Sequence, residues 1–172
     1  MSSRKPITTA QTIGPFPHEG WRWAFEPAAA QPRGARTVAV SGTVLDGDGA
    51  PVIDAVLEIW SPAAAGAEGE RTMPGFRRVP SDERGAFRFE LPAAEAGAPL
   101  GYVTLFARGL LKHQFSAVFL EGDAGLADAP LLAQVPAERR ATLIAGKTAT
   151  PGEYRWDVRL QGERETVFFD YE

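Results

Sequence analysis

Thr37-Val38-Ala39-Val40-Ser41-Gly42-Thr43-Val44-Leu45-Asp46-Gly47-Asp48-Gly49 sets the architecture. Val38, Val40 and Val44 alternate with Thr37, Ala39 and Thr43, the period-two pattern of a half-buried strand. Asp46-Gly47-Asp48-Gly49 then supplies residues that tolerate positive φ, as a hairpin turn requires. Residues 52–60 resume the strand pattern with Val56, Leu57, Ile59 and Trp60.

The same signal recurs downstream. Ser81-Asp82-Glu83-Arg84-Gly85 reads as a turn into a strand over 86–91, with Phe87 and Phe89 on one face and Arg88 and Glu90 on the other. Residues 102–107 form a nearly continuous apolar run, which predicts a strand covered on both faces. Residues 113–120 give one more strand. In the tail, Tyr154, Trp156, Val158 and Leu160 point one way and Arg155, Asp157 and Arg159 the other. Gln161-Gly162-Glu163 turns the chain and 166–169 return it as a strand. The one helix expected spans 136–145, with Pro136 suited to its start, Glu138 to its first turn and Gly146 to its end. Seven or so short strands with one short helix predict an all-β fold, an antiparallel β-sandwich.

Residues 1–35 differ. Prolines stand at 6, 15, 17, 27 and 32, yet Phe16, Trp21, Trp23 and Phe25 give the segment an aromatic load rare in a solvated tail. It reads as an arm, folded back on its own domain or packed on a partner subunit, with the sandwich domain over 36–172.

Composition narrows the function classes. The chain has 172 residues, a formal net charge of −4 and no cysteine, so disulfides and thiolate metal sites are excluded. Burial of roughly 70% of the unfolded chain's surface is expected at this size, enough for a core without staples. Basic residues are scattered and only three are lysine, which opposes a nucleic-acid footprint. No apolar run approaches the length of a membrane span. Met1-Ser2-Ser3-Arg4-Lys5 is basic, but no apolar stretch follows it, so cytoplasmic residence is expected. Gly-x-Ser-x-Gly, Walker-type and dinucleotide glycine patterns are absent.

Five segments in order carry a resemblance. Thr8-Thr9-Ala10-Gln11-Thr12-Ile13-Gly14-Pro15-Phe16 looks like a Thr-x-Gly-Pro arm segment. The hairpin over 41–60 ends on Trp60. Gly75-Phe76-Arg77-Arg78 leads to Ser81-Asp82 and Gly85. Phe106-Ala107-Arg108-Gly109-Leu110 and the tail 163–170 complete the set. Together these resemble the intradiol ring-cleaving dioxygenases, and within them the alpha-type subunits of the enzymes that cleave protocatechuate. Residues 40–91 are also similar to carboxypeptidase-regulatory and transthyretin-like modules, which are non-enzymatic. Those modules are shorter and lack the arm and tail motifs.

The resemblance implies an intradiol dioxygenase-like β-sandwich and a non-heme Fe(III) enzyme. With O2, the enzyme opens protocatechuate to 3-carboxy-cis,cis-muconate, in aromatic catabolism through the beta-ketoadipate pathway. Iron-binding members hold the metal with two Tyr and two His, hard and borderline donors suited to a ferric ion. Their His-x-His pair falls here on Leu100 and Tyr102, the first Tyr falls near Glu68, and the loop carrying the second is shortened to 92–99. The available tyrosines are Tyr102, Tyr154 and Tyr171, and the histidines are His18 and His113. The chain is therefore expected to bind no metal and to have no catalytic residue of its own. It is expected to pair with a homologous beta subunit that holds Fe(3+), as an αβ protomer of a larger oligomer. Carried over from alpha-type subunits, Thr12, Gly14, Pro15 and Arg108 would line the partner's substrate pocket. The alternative for Arg108 is an edge-strand ion pair with Glu121 or Asp123, and for Gly14-Pro15 an ordinary bend in the arm. Loss of His at Leu100 also predicts that the vestigial pocket is unusually apolar.

Overall fold

The computed structural model describes residues 14, 36–61 and 75–170. The arm over 1–35, apart from Gly14, lies outside the described residues, as do Glu68 and Tyr171.

The described residues form nine strands: β1 (Thr37–Leu45), β2 (Val56–Trp60), β3 (Phe76–Pro80), β4 (Ala86–Pro92), β5 (Gly101–Phe106), β6 (Gln114–Leu120), β7 (Ile144–Lys147), β8 (Glu153–Arg155) and β9 (Val158–Arg159). They hydrogen-bond in the order β3-β2-β5-β6-β7-β8-β1-β4, with β9 also on β1. Most pairings are antiparallel, but β1 runs parallel to β8 and β9, and β6 parallel to β7.

The sheet curls until its two outermost strands meet. Arg77 of β3, 7% exposed, donates from Nε to the Glu90 carbonyl of β4 at 2.9 Å and from Nη1 to the Phe76 carbonyl at 2.7 Å. Burial pulls its pKa down, and the Glu90 carboxylate pushes back. An arginine stays charged under such a shift, so the clasp is charge-assisted.

Alternation explains what fills the interior. Val38, Val40, Leu57, Ile59, Phe87, Phe89, Leu91, Leu100, Val103, Leu105, Val118 and Trp156 form one continuous core. Phe87 and Phe89 stack with ring centroids 6.2 Å apart, and Trp156 meets Phe87 edge-on at 6.4 Å. Ala117 and Phe119, on the other face of β6, pack under Leu132, Val135 and Leu143 in a second cluster. It is thus β6 that is covered on both faces. The expectation for β5 is corrected: Val103 and Leu105 are buried, but Tyr102 is 42% exposed and Thr104 and Phe106 are half-buried.

Several local expectations also change. The turn after β1 forms as expected: Asp46 Oδ1 accepts from the Asp48 and Ala50 amides, and positive φ falls on Gly49. The chain then turns again at residues 53–54, so β2 begins at Val56 and pairs with β3 and β5 instead of β1. The helix over 136–145 is a 3-10 helix, Ala137–Leu143, that stops because Ile144 enters β7. A one-turn helix, α1 (Pro130–Ala133), precedes it. Residues 166–169 make one bridge, Phe115 to Phe169, in place of a strand.

The tail keeps its alternation but breaks its ladder at Trp156-Asp157. Trp156 N donates to Ser41 O at 2.9 Å, and the Asp157 carboxylate accepts from Thr43 N at 2.9 Å. Gly42 faces this break, where the Trp156 carbonyl occupies the space a Cβ would take. The lack of a side chain at Gly42 makes room for this break, which divides the one expected strand into β8 and β9.

The turn before β4 is held by one carboxylate. Asp82 Oδ1 accepts from the Ala86 and Arg84 amides, each at 2.8 Å, and these bonds, that to Ala86 first, hold its pKa below the usual carboxylate value. A depressed carboxyl pKa stabilises the fold above the unfolded value and loses that contribution as pH falls through the folded one. Urea unfolding of Asp82→Ala is expected to show a lower midpoint than wild type at pH 7. The gap should close as pH drops below about 4. A gap unchanged at acid pH would mean that the carboxylate charge contributes nothing.

Candidate substrate-facing site

Strand β5 ends at Phe106, and buried Ala107 starts a tight turn closed by Leu110 N to Ala107 O at 3.3 Å. Gly109 takes φ +89°, a left-handed conformation that L side chains rarely adopt. The turn places Arg108 beyond the end of β5, an interior strand of the sheet. Its side chain is 65% exposed, and Nε lies 3.3 Å from Oδ2 of Asp54, whose side chain is 9% exposed. The expected alternative partners are corrected: Glu121 accepts from Lys147 N, and Asp123 accepts from Gly97 N and Gly125 N.

Asp54 was not singled out from sequence. It sits in the turn at 53–54, two residues before Val56, and Val56 pairs with Phe106. The same register carried two residues further sets Asp54 against Arg108. The turn is fixed by buried Ser81: Ala55 N donates to Ser81 Oγ at 3.0 Å, Ser81 Oγ donates to Val52 O at 2.8 Å, and Ser81 N donates to Ala55 O at 2.8 Å. The usable sequence signal was an acid directly before the apolar run Ala55-Val56-Leu57.

Of the other expected pocket residues, Gly14 has φ +81°. Thr12 and Pro15 lie outside the described residues.

The two positions aligned with the His-x-His pair do not suit a ferric ion. Leu100 is 1% exposed and belongs to the main core. Tyr102 lies on the outer face opposite Trp60, beside a groove of about 700 Å3 lined by residues 96–99, Asp128, Leu131 and Gln134. That groove offers one carboxylate and one phenol. Among the described residues no three His, Cys, Asp or Glu side chains converge as a metal site. His113 packs between Phe106 and Phe115, at 5.5 and 4.6 Å, and Tyr154 lies on β8 in a different groove.

Comparisons with known proteins bear on this geometry. No family model matches the chain. Among solved structures, the dioxygenase domain of a dioxygenase carbohydrate-binding protein fusion from Streptomyces sp. SirexAA-E superposes with a TM-score of 0.59 at 17% identity, covering 81% of this chain and 88% of that one. Hydroxyquinol 1,2-dioxygenase from Pseudomonas putida DLL-E4 gives 0.58 at 17% identity, covering 77% and 58%. The fold is thus the β-sandwich of the intradiol ring-cleaving dioxygenases. In sequence, the protocatechuate 3,4-dioxygenase alpha chain of Burkholderia cepacia is 37% identical over 190 residues, covering 95% of this chain and 96% of that one. The alpha chain of Pseudomonas putida is 32% identical over 199 residues, covering 96% and 97%. The beta chain of Burkholderia cepacia is 27% identical, covering 94% and 78%. The chain belongs to the family of protocatechuate 3,4-dioxygenase alpha chains.

Proposed function

We propose that this chain is the substrate-positioning subunit of a protocatechuate 3,4-dioxygenase. It works with a homologous beta-type chain that holds non-heme Fe(III), the two forming an αβ protomer within a larger oligomer. The observation that carries this reading is Leu100: the position aligned with an iron-ligating His is filled by a side chain sealed in the core. The chemistry supplied by the metal, activation of a catecholate toward O2, then belongs to the partner. Likeness to both an alpha and a beta chain supports the heteromer.

This chain's own residues bind and orient. Protocatechuate carries a ring carboxylate beside its catechol, and a planar guanidinium such as that of Arg108 holds a carboxylate in a fixed fork. Thr12, Gly14 and Pro15 line the same pocket from the arm, which packs on the partner. There Gly14 admits a close approach of backbone to a flat ring and Pro15 gives a rigid apolar face. Residues 1–35 form that arm and 36–172 the sandwich. The assembly works in the cytoplasm.

The chain purified alone is expected to show no ring cleavage and no ferric–tyrosinate colour. Co-expression with a beta-type chain is expected to give a coloured, active complex containing both polypeptides. Robust turnover and colour from this chain alone would refute the reading.

A further inference from the structure

We propose that Asp54 is a positioning residue: its sheltered carboxylate anchors the Nε edge of Arg108 and so presents the guanidinium's two terminal nitrogens to the substrate carboxylate. The inference rests on the reading of Arg108 just given.

The pair is asymmetric. Asp54 is nearly buried, whereas Arg108 is about two-thirds exposed. An ion pair with one partner so exposed adds at most about 1 kcal/mol to stability, so folding alone is a weak reason for it. Holding an arginine in place has a larger effect. A free arginine side chain carries about 2 kcal/mol of rotamer entropy. Part of that is lost on binding unless the side chain is already ordered. Asp54 is suited to the task because its own turn is rigid, tied on both sides to buried Ser81. The contact geometry also matters. Asp54 takes Nε, and neither terminal nitrogen of Arg108 enters another ion pair among the described residues. The end-on fork therefore remains available for a second, planar anion. Ile53, next to Asp54 in sequence, and Leu111, three residues after Arg108, are 51% and 65% exposed and offer apolar surface for a partner to cover. Covering that surface would strengthen the charge–charge contact by excluding water.

The test is a double-mutant cycle in the αβ complex, assembled with its iron-bearing partner. Asp54→Asn is expected to raise KM for protocatechuate about 3- to 10-fold while kcat stays within about twofold. Catechol, which lacks the ring carboxylate, is expected to respond much less. In the Arg108→Ala background, Asp54→Asn should add no more than about a twofold further loss. Iron content and thermal midpoint should match the parent complex.

Each contrary result has a distinct meaning. If Arg108→Ala lowers activity and Asp54→Asn does not, Asp54 has no positioning role and the Arg108 reading stands. If Arg108→Ala is itself silent, the Arg108 reading fails and this inference with it. An equal Asp54→Asn loss in both backgrounds, or one that tracks a lower thermal midpoint, makes Asp54 purely structural. Should Asp54→Asn not assemble, Asp54→Ser, also compatible with a turn, takes its place. Failure of both to assemble overturns the proposal in favour of a structural role.

Discussion

Arg108→Ala in the assembled enzyme is expected to lower kcat/KM for protocatechuate about 10- to 100-fold, because a hydrogen bond to a charged group contributes about 1.5–3 kcal/mol and each 1.4 kcal/mol is tenfold. Iron content, colour and subunit stoichiometry should not move, since Arg108 stands on an exposed turn outside both hydrophobic clusters. Arg108→Lys should recover only part of the loss, because an ammonium keeps the charge but not the planar fork. The comparison with catechol separates recognition from chemistry: activity toward it should fall far less. Kinetics unchanged for both substrates would leave Arg108 as a surface partner of Asp54 and nothing more.

Gly42→Ala should have the largest effect on folding. A Cβ there overlaps the Trp156 carbonyl and comes within 2.8 Å of Phe87 Cζ. Both obstacles are poorly placed to yield. The carbonyl is backbone held by the adjoining bond from Trp156 N to Ser41 O, and Phe87 is 4% exposed in the core. Trp156 is further anchored by its indole Nε1, which donates to Thr142 O at 2.9 Å. Overpacking commonly costs about 1–3 kcal/mol, and the rigidity here puts this site at or above the top of that range. Since whole domains are stable by only about 5–15 kcal/mol, Gly42→Val is expected to be recovered as insoluble protein. Urea unfolding of Gly42→Ala checks the smaller substitution; a midpoint equal to wild type would show that β8 and β9 adapt freely.

The parts of this fold legible in sequence are those where one face alone meets the core. Phe87 and Phe89 were assigned to one face and Arg88 and Glu90 to the other, and burial follows that division. The tail alternation likewise gave the facing of Trp156 and Val158. Strand β3 escaped notice because Phe-Arg-Arg-Val-Pro carries two charges, and their places are set by other strands: Arg77 by Glu90 of β4, Arg78 by Glu58 of β2 at 2.6 Å. Strand β7, Ile-Ala-Gly-Lys, has little strand propensity and forms where β6 and β8 both offer backbone partners. The run over 102–107 misled because Tyr102 and Phe106 are apolar in composition yet face outward beside Trp60 and His113. At the site, Arg108 was recognisable through the Ala107-Arg108-Gly109 motif, whereas Asp54 was not. Its pairing depends on the register of β2 against β5, a non-local fact that no window of sequence contains.

Strand β1 has one flank satisfied early and the other late. Strand β4 follows it by a few dozen residues, but Asp157, which caps Thr43, comes 114 positions later. During synthesis at about 5–20 residues per second, β1 therefore spends several seconds with an open hydrogen-bonding edge. Such an edge is a template for pairing with other chains. Contacts this distant in sequence also form slowly, since the intervening loop must close before they stabilise anything. Heterologous yield of this polypeptide will thus depend on how well nascent chains are shielded during that interval, and more chaperone should raise it with no change to the finished molecule.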